Sequence, residues 1–491
     1  MAFFAAGAML TTAFAPLGLY AMAPLIVLPL LAACLHARPR EAARLAFWFG
    51  AGLFLFGTYW LYTSIHVFGE APLWIAVALM VCLVVIMAWY FAAIAWLIAT
   101  LAAADPWRLV AVAPAGWVAI EWFRGWFLTG FPWMSIGYSQ VDSPLAGWLP
   151  VFGVYGASFL VVLSASAAFA VRERRGLQRW GAVTVVILPW IAGAGFQAVQ
   201  WSEPSGSPRK TTIVQGGVSQ DQKWLREQFA ITLDLYHSSI LSHRDSELIV
   251  WPEVAIPAAI DQVEGYLELL QLDLERQQQT LLLGILERDG DDIYNSVLML
   301  DGDTRQVYRK RHLVPFGEYF PVPDRVREWM RLMSLPHSDM TPGELEQPLL
   351  RTADGDRLAV AICYEDAYGA EQLYALPDAT ILINVSNDAW FGDSIAPHQH
   401  LEIARVRALE AARYVVRATN NGISAFIGAR GELLQTAPQF EYATLTMEVV
   451  PMTGATPYSV AGNWPVVSLA LVIVGGFGWR TFEGRRASLR R

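Results

Sequence analysis

Cys363 lies in the stretch AICYEDAYG (361–369), with Glu365 and Asp366 just behind it. The chain has three cysteines, and the other two, Cys34 and Cys82, fall in long apolar runs. A lone cysteine is most often a small buried core residue. Neighbouring carboxylates also oppose thiolate formation, because like charges disfavour ionisation. At neutral pH a free thiol is roughly 3% ionised, so it needs a base or a cation to act as a nucleophile. The sequence holds a candidate for each. Glu253 follows an apolar strand in ELIVWPEVAIP (247–257), and Lys310 lies in VYRKRHLVPFGEYFP (307–321). A carboxylate at hydrogen-bond distance takes the thiol proton. A lysine offsets the negative charge of the site and stabilises the oxyanion of a tetrahedral intermediate. The amide N–H of Tyr364 is a candidate second oxyanion donor. A basic cluster by itself reads as a solvated loop, so the case rests on the three residues together.

The elements that must position them form an alternating pattern. Strands are predicted at 210–218, 247–257, 280–288, 294–301, 357–363, 379–386 and 444–450, with a hairpin at 423–434 turning at Arg430-Gly431. Helices are predicted at about 222–242, 258–278 and 397–417. Such alternation implies a layered α/β domain, in which ligands gather at the carboxyl ends of strands. Glu253 and Cys363 both lie there. Pro315, Gly317 and Pro321 make the Lys310 segment an irregular, positioned loop.

The rest of the chain differs. Of 491 residues, 55% are apolar and 16% charged, against about 25% charged in soluble domains. The apolar residues fill the first two hundred positions and return near the end. Spans are expected near 3–15, 18–35, 45–65, 73–99, 109–123, 147–171, 182–199 and 463–479, most of them the length a bilayer requires. Residues 1–201 are thus read as a membrane domain of about seven helices, 202–456 as a soluble catalytic domain, and 457–491 as a last span with a basic tail. Arginines cluster at Arg38, Arg40 and Arg44, at Arg172, Arg174, Arg175 and Arg179, and at Arg480, Arg485, Arg486, Arg490 and Arg491. The positive-inside rule places all of them, and both termini, in the cytoplasm. The soluble domain is then outside, and a bacterial inner membrane with a periplasmic domain is the simplest setting. The net charge of −9 argues against a nucleic-acid partner.

The motifs WPE, K-x-H-L-V-P-F-G-E and C-Y-E, in this order, resemble the nitrilase or carbon–nitrogen hydrolase superfamily. The resemblance implies a Glu-Lys-Cys triad, here Glu253, Lys310 and Cys363, on an α-β-β-α sandwich. A nitrilase-like domain set before the last of eight spans is similar to the apolipoprotein N-acyltransferase family. So are EWFRGWFLTGFPWMSIGYSQ (121–140) and SNDAWFGDSIAPHQHLEIARVRALE (386–410). That family implies a ping-pong reaction without cofactor or metal. An acyl chain passes from a membrane phospholipid of the phosphatidylethanolamine class to a Cys363 thioester, and then to the amine of an S-diacylglyceryl cysteine on an apolipoprotein. The enzyme is expected to act as a monomer. The alternative is a membrane-anchored amidase with water as acceptor. The resemblance also carries Glu318, Tyr364, Glu365 and Trp224 as substrate-binding or supporting residues. Glu318 is expected to orient Lys310 or a substrate amine. Tyr308, Phe316 and Trp390 read as pocket walls or as core. His312 reads as a structural hydrogen-bonder. His398 and His400 have ligand-like spacing, but no metal is assigned. Glu121 and Arg124 read either as an i, i+3 pair or as lining a lipid access route. Trp122, Trp126, Phe127, Phe131 and Trp133 read first as an interfacial belt and second as a lipid-binding lip. The stretches 314–345 and 387–396 are candidate lids.

Overall fold

The computed structural model describes residues 1–319, 325 and 340–489, and divides into two compact units. The first comprises Met1–Tyr59, Trp74–Gln200 and Pro457–Arg491, and the second Trp60–Leu73 and Trp201–Thr456. The expected division placed 60–73 in the membrane part; these residues pack instead within the second unit.

The first unit is helical. Among the described residues, four helices are long and apolar enough to cross a membrane: Leu73–Ala102, Pro144–Glu173, Gly176–Phe196 and Trp464–Glu483. Ala2–Ala13 and Met22–His36 are shorter apolar helices. The stretch predicted as 45–65 begins as a helix at Pro39 and stops at Gly57. There Thr58 leaves helical geometry, and its hydroxyl donates to the Phe54 carbonyl. A proline sits at the first turn of the helices starting at Pro39 and Pro106, where its missing N–H costs no hydrogen bond.

The second unit is a four-layer sandwich. One sheet orders its strands as Ala443–Val449, Arg209–Gln215, Leu248–Val250, Thr280–Asp289, Asp292–Asp301 and Thr304–Arg309, with Ile256–Ala259 paired to Thr280–Asp289. The other runs Leu433–Thr436, Ala425–Ile427, Val415–Thr419, Ile381–Ser386, Arg357–Ile362 and Leu350–Arg351. Burial explains the layers. Ile213, Val250 and Leu282 of one sheet share a core with Ile362, Ile383 and Val416 of the other. Alternate residues such as Ile249 and Leu281 face outward, against Tyr236 and Ile240 of helix Arg226–Ser242 and Leu267 and Leu270 of helix Glu264–Gln277. Helix Ala396–Ala411 covers the other sheet through Leu401, Ala404 and Ala408. The three central strands of that sheet are parallel and buried on both faces, so they read as continuous apolar runs.

Two predicted elements are corrected. The helix placed at 397–417 ends at Ala411, and Val415–Thr419 is a buried strand. Ala412 adopts a left-handed conformation (φ 51°) that terminates the helix. The Arg413 guanidinium then donates to the carbonyls of Ala379, Pro377 and Gly454, and Val415 and Val416 favour the extended chain. The predicted strand at 247–257 is two short strands, Leu248–Val250 and Ile256–Ala259, parted by the turn that carries Glu253.

Candidate active site

Three segments meet at the carboxyl ends of the central strands. Each holds a non-glycine residue in the left-handed region: Val254 (φ 45°) beside Glu253, Phe316 (φ 64°) in the loop of Glu318, and Cys363 itself (φ 52°). Such conformations persist only where surrounding structure enforces them, and they concentrate at functional sites. Cys363 closes strand Arg357–Ile362 and opens a 3₁₀ turn, Cys363–Ala367.

The Lys310 ammonium is buried between two carboxylates, 3.3 Å from Glu253 Oε1 and 2.8 Å from Glu318 Oε1. Asn295 Nδ2 donates to the same two oxygens, at 2.8 and 3.0 Å. The Asn387 amide donates to Glu253 Oε2 (2.8 Å), and the Val314 amide to Glu318 Oε2 (2.7 Å). Burial works against the Lys310 charge, but Glu253 and Glu318 outweigh it and hold the ammonium above its ordinary range. Burial pushes the Cys363 thiol up, Glu253 pushes it further, and Lys310 offsets only part of this. The expectation that Lys310 offsets the acidic neighbours is therefore met only in part.

Glu365 is a brace. It is fully buried and accepts from the Tyr308 hydroxyl (3.1 and 3.0 Å), the Arg311 amide (2.7 Å) and the Ile362 amide (2.6 Å). It thus ties the lysine loop to the strand that ends at Cys363. Tyr308, read as a pocket wall or core, is a core residue by virtue of this bond. Tyr364 stacks edge-on against His312 and Tyr368. His312 is a structural hydrogen-bonder, with Nδ1 2.8 Å from Glu371 Oε1 and its ring stacked on Tyr368. Trp224 is 54% exposed, beside a cavity of about 380 Å³ lined by Leu225, Phe229 and Pro257. Phe316 and Trp390 are exposed.

Sequence reasoning missed several participants. Lys223 is buried, and its Nζ donates to the Glu253 carbonyl (3.1 Å); burial pulls its ammonium down to about 8. Asp388 accepts from Ser386 Oγ (2.8 Å) and Arg417 Nη2 (2.8 Å) and faces His400 Nδ1 (2.9 Å). Gly284 permits the glutamate turn, since a Cβ there would lie 2.3 Å from the Pro252 carbonyl oxygen and 2.6 Å from Glu253 Cα. An isolated glycine inside an apolar strand was the available signal for that close approach.

His398 and His400 point to different partners, Gln439 and Asp388. Among the described residues no group of three or more histidine, cysteine or carboxylate side chains could hold a metal ion. Of the 387–396 stretch, Asp388 and Ala389 are buried, and the Trp390 carbonyl accepts from Ser64 Oγ (2.8 Å). Trp60 packs edge-on against Phe391 and donates to Gln399. These contacts hold the stretch in place in this structure. Much of the other expected lid, residues 320–324 and 326–339, lies outside the described residues.

In the helical unit, Arg124 donates to the carbonyls of Phe131 and Trp133 and to Ser135 Oγ, and Glu121 accepts from the Ile136 amide. Both residues hold the 131–136 loop. Trp133 is buried, whereas Trp126 and Phe127 are exposed, so only part of the expected aromatic belt faces outward.

Residues 6–167 match the family described as apolipoprotein N-acyltransferase N-terminal domain, and residues 210–458 the family described as carbon-nitrogen hydrolase. The apolipoprotein N-acyltransferase of Methylococcus capsulatus is 40% identical over 477 residues, covering 96% of this chain and 94% of that one. That of Nitrosomonas europaea is 40% identical over 496 residues, covering 100% and 99%. Among solved structures, an amidase from Nesterenkonia sp. aligns at 16% identity with a TM-score of 0.38, covering 50% of this chain and 92% of that one. The chain belongs to the apolipoprotein N-acyltransferase family.

Proposed function

We propose that the chain transfers an acyl chain from a membrane phospholipid of the phosphatidylethanolamine class to an apolipoprotein, through a thioester on Cys363. The observation that carries this reading is the buried Lys310 ammonium, set between Glu253 and Glu318 beside the strained backbone of Cys363. In the first half-reaction Glu253 takes the thiol proton while Sγ attacks the ester carbonyl. Lys310, with the Tyr364 amide, stabilises the oxyanion. The carbon–oxygen bond breaks, and the lysophospholipid leaves with the proton from Glu253. In the second half-reaction the amine of the S-diacylglyceryl cysteine attacks the thioester, and Glu253 takes the amine proton and returns it to the departing thiol. Glu318 orients Lys310. Glu365 acts through the backbone it braces, and Trp224 lines the approach of a substrate.

The long apolar helices support a bilayer setting. Eight spans, both termini in the cytoplasm and residues 202–456 in the periplasm of a bacterial inner membrane are the arrangement the arginine clusters favour. Residues 457–491 then supply the last span and tail, and a monomer suffices for the reaction. Two substrates whose chains reside in a bilayer explain why such a site is joined to membrane spans, which a soluble amidase does not need.

The test supplies phosphatidylethanolamine and a diacylglyceryl-cysteine peptide, and weighs N-acyl peptide against free fatty acid. Amide product that depends on both substrates is expected. Fatty acid release that ignores the peptide would instead establish the amidase.

A further inference from the structure

His400 stands between two hydrogen-bond acceptors. Its Nδ1 is 2.9 Å from Asp388 Oδ1, and its Nε2 is 3.1 Å from the backbone carbonyl oxygen of Cys363. A carbonyl oxygen has no proton to give. Asp388 is ionised, for it accepts from Arg417 Nη2 and Ser386 Oγ as well. Both ring nitrogens therefore donate, which only the imidazolium can do.

We propose that His400 donates from both ring nitrogens, clamps the Cys363 carbonyl, fixes the strained backbone of the nucleophile, and adds a positive charge to the thiol's surroundings. The clamp reaches from helix Ala396–Ala411 to the 3₁₀ turn of Cys363, and Asp388 anchors it to strand Val415–Thr419 through Arg417. The charged and titratable groups around it, among the described residues, include Asp388, Cys363, Arg417 and, across Arg417, Asp366 at 3.9 Å. Ser386 joins the two halves: its hydroxyl bonds Asp388 and also touches the thiol. Lys310 and His400 thus flank Cys363 from different elements, one acting on the thiol and its oxyanion, the other on the backbone that aims it. His400 is a positioning residue, and this role rests on reading Cys363 as the nucleophile.

The test uses full-length protein in nanodiscs, with Cys34→Ala and Cys82→Ala so that only Cys363 alkylates. Blocking Cys363 with iodoacetamide first checks the underlying reading: acyl-enzyme formation must stop, whatever His400 does. The alkylation rate is then compared at one fixed pH in the parent protein and in His400→Gln. Loss of a nearby positive charge should lower the thiolate fraction, so that alkylation and acyl-enzyme formation each slow about tenfold. An unchanged alkylation rate would overturn the proposal, even if the melting temperature fell. A second measurement needs no change at position 400. In [15N]histidine protein at pH 8, with His237 and His312 assigned by substituting each, one further imidazole should keep N–H signals at both nitrogens. Neutral signals for all the others would equally overturn it.

Discussion

Two of the places where a cation is buried with a carboxylate use the pair differently. In the helical unit Arg124 donates to backbone carbonyls and Ser135 of one loop, 131–136, and Glu121 accepts from a backbone amide of the same loop. In the catalytic unit Lys310 gives its bonds to Glu253 and Glu318, which lie on other segments. The planar guanidinium suits several fixed carbonyls, whereas the ammonium is a compact point charge. A cation satisfied by backbone fixes shape. A cation shared by two carboxylates beside a thiol can redistribute its attraction when charge develops on a substrate.

Substitutions at the two places should separate these roles. Lys310→Ala should lower acyl-enzyme formation about 10³-fold, as loss of an oxyanion stabiliser does. Lys310→Arg should not restore it, because the guanidinium fork does not fit the space of an ammonium between two carboxylates. Single-turnover kinetics with a fluorescent phospholipid would measure both. Arg124→Ala should do the opposite: unfolding stability in detergent falls by about 3 kcal/mol, the scale for stranding a buried partner, while iodoacetamide labels Cys363 at an unchanged rate. Equal effects of both substitutions on thiol reactivity would erase the contrast.

Much of this division was legible in the sequence. Glu253, Lys310 and Cys363 announced themselves because each follows a β-rich run and each is the type its chemistry requires. The mainly parallel strands of the Cys363 sheet were readable as apolar runs. The strand at Val415 was not, since ALEAARYVV continues a helical pattern until Ala412 turns left-handed. The clamp of Asp388 and His400 was also hidden. Its partners are 12 and 37 residues apart in the chain, and only packing reveals that the second histidine faces a backbone carbonyl rather than a metal. Trp133 was read as belt, yet it is buried, because Arg124 draws its carbonyl inward.

Smaller effects sharpen the comparison further. Gly284→Ala should push the Pro252–Glu253 turn away from Lys310 and lower kcat about 10²-fold, in line with the cost of misplacing a catalytic group by about 1 Å. KM should change little, and steady-state kinetics would show it. Asp388 supplies a pH signature. Its folded pKa of about 2 lies below the ordinary 3.8, so its stabilisation is complete above the ordinary value and is lost as pH falls from about 4 towards 2. Over that window the parent protein should lose about 2 kcal/mol more than Asp388→Asn, as read by denaturant unfolding.

The most direct test is the intact mass of the purified protein after incubation with phosphatidylethanolamine and no acceptor, with Cys363→Ala beside it. A gain of one acyl chain that hydroxylamine removes, and that the alanine variant lacks, is the predicted result. An unchanged mass in the parent protein, or the same gain in Cys363→Ala, would contradict a thioester at Cys363.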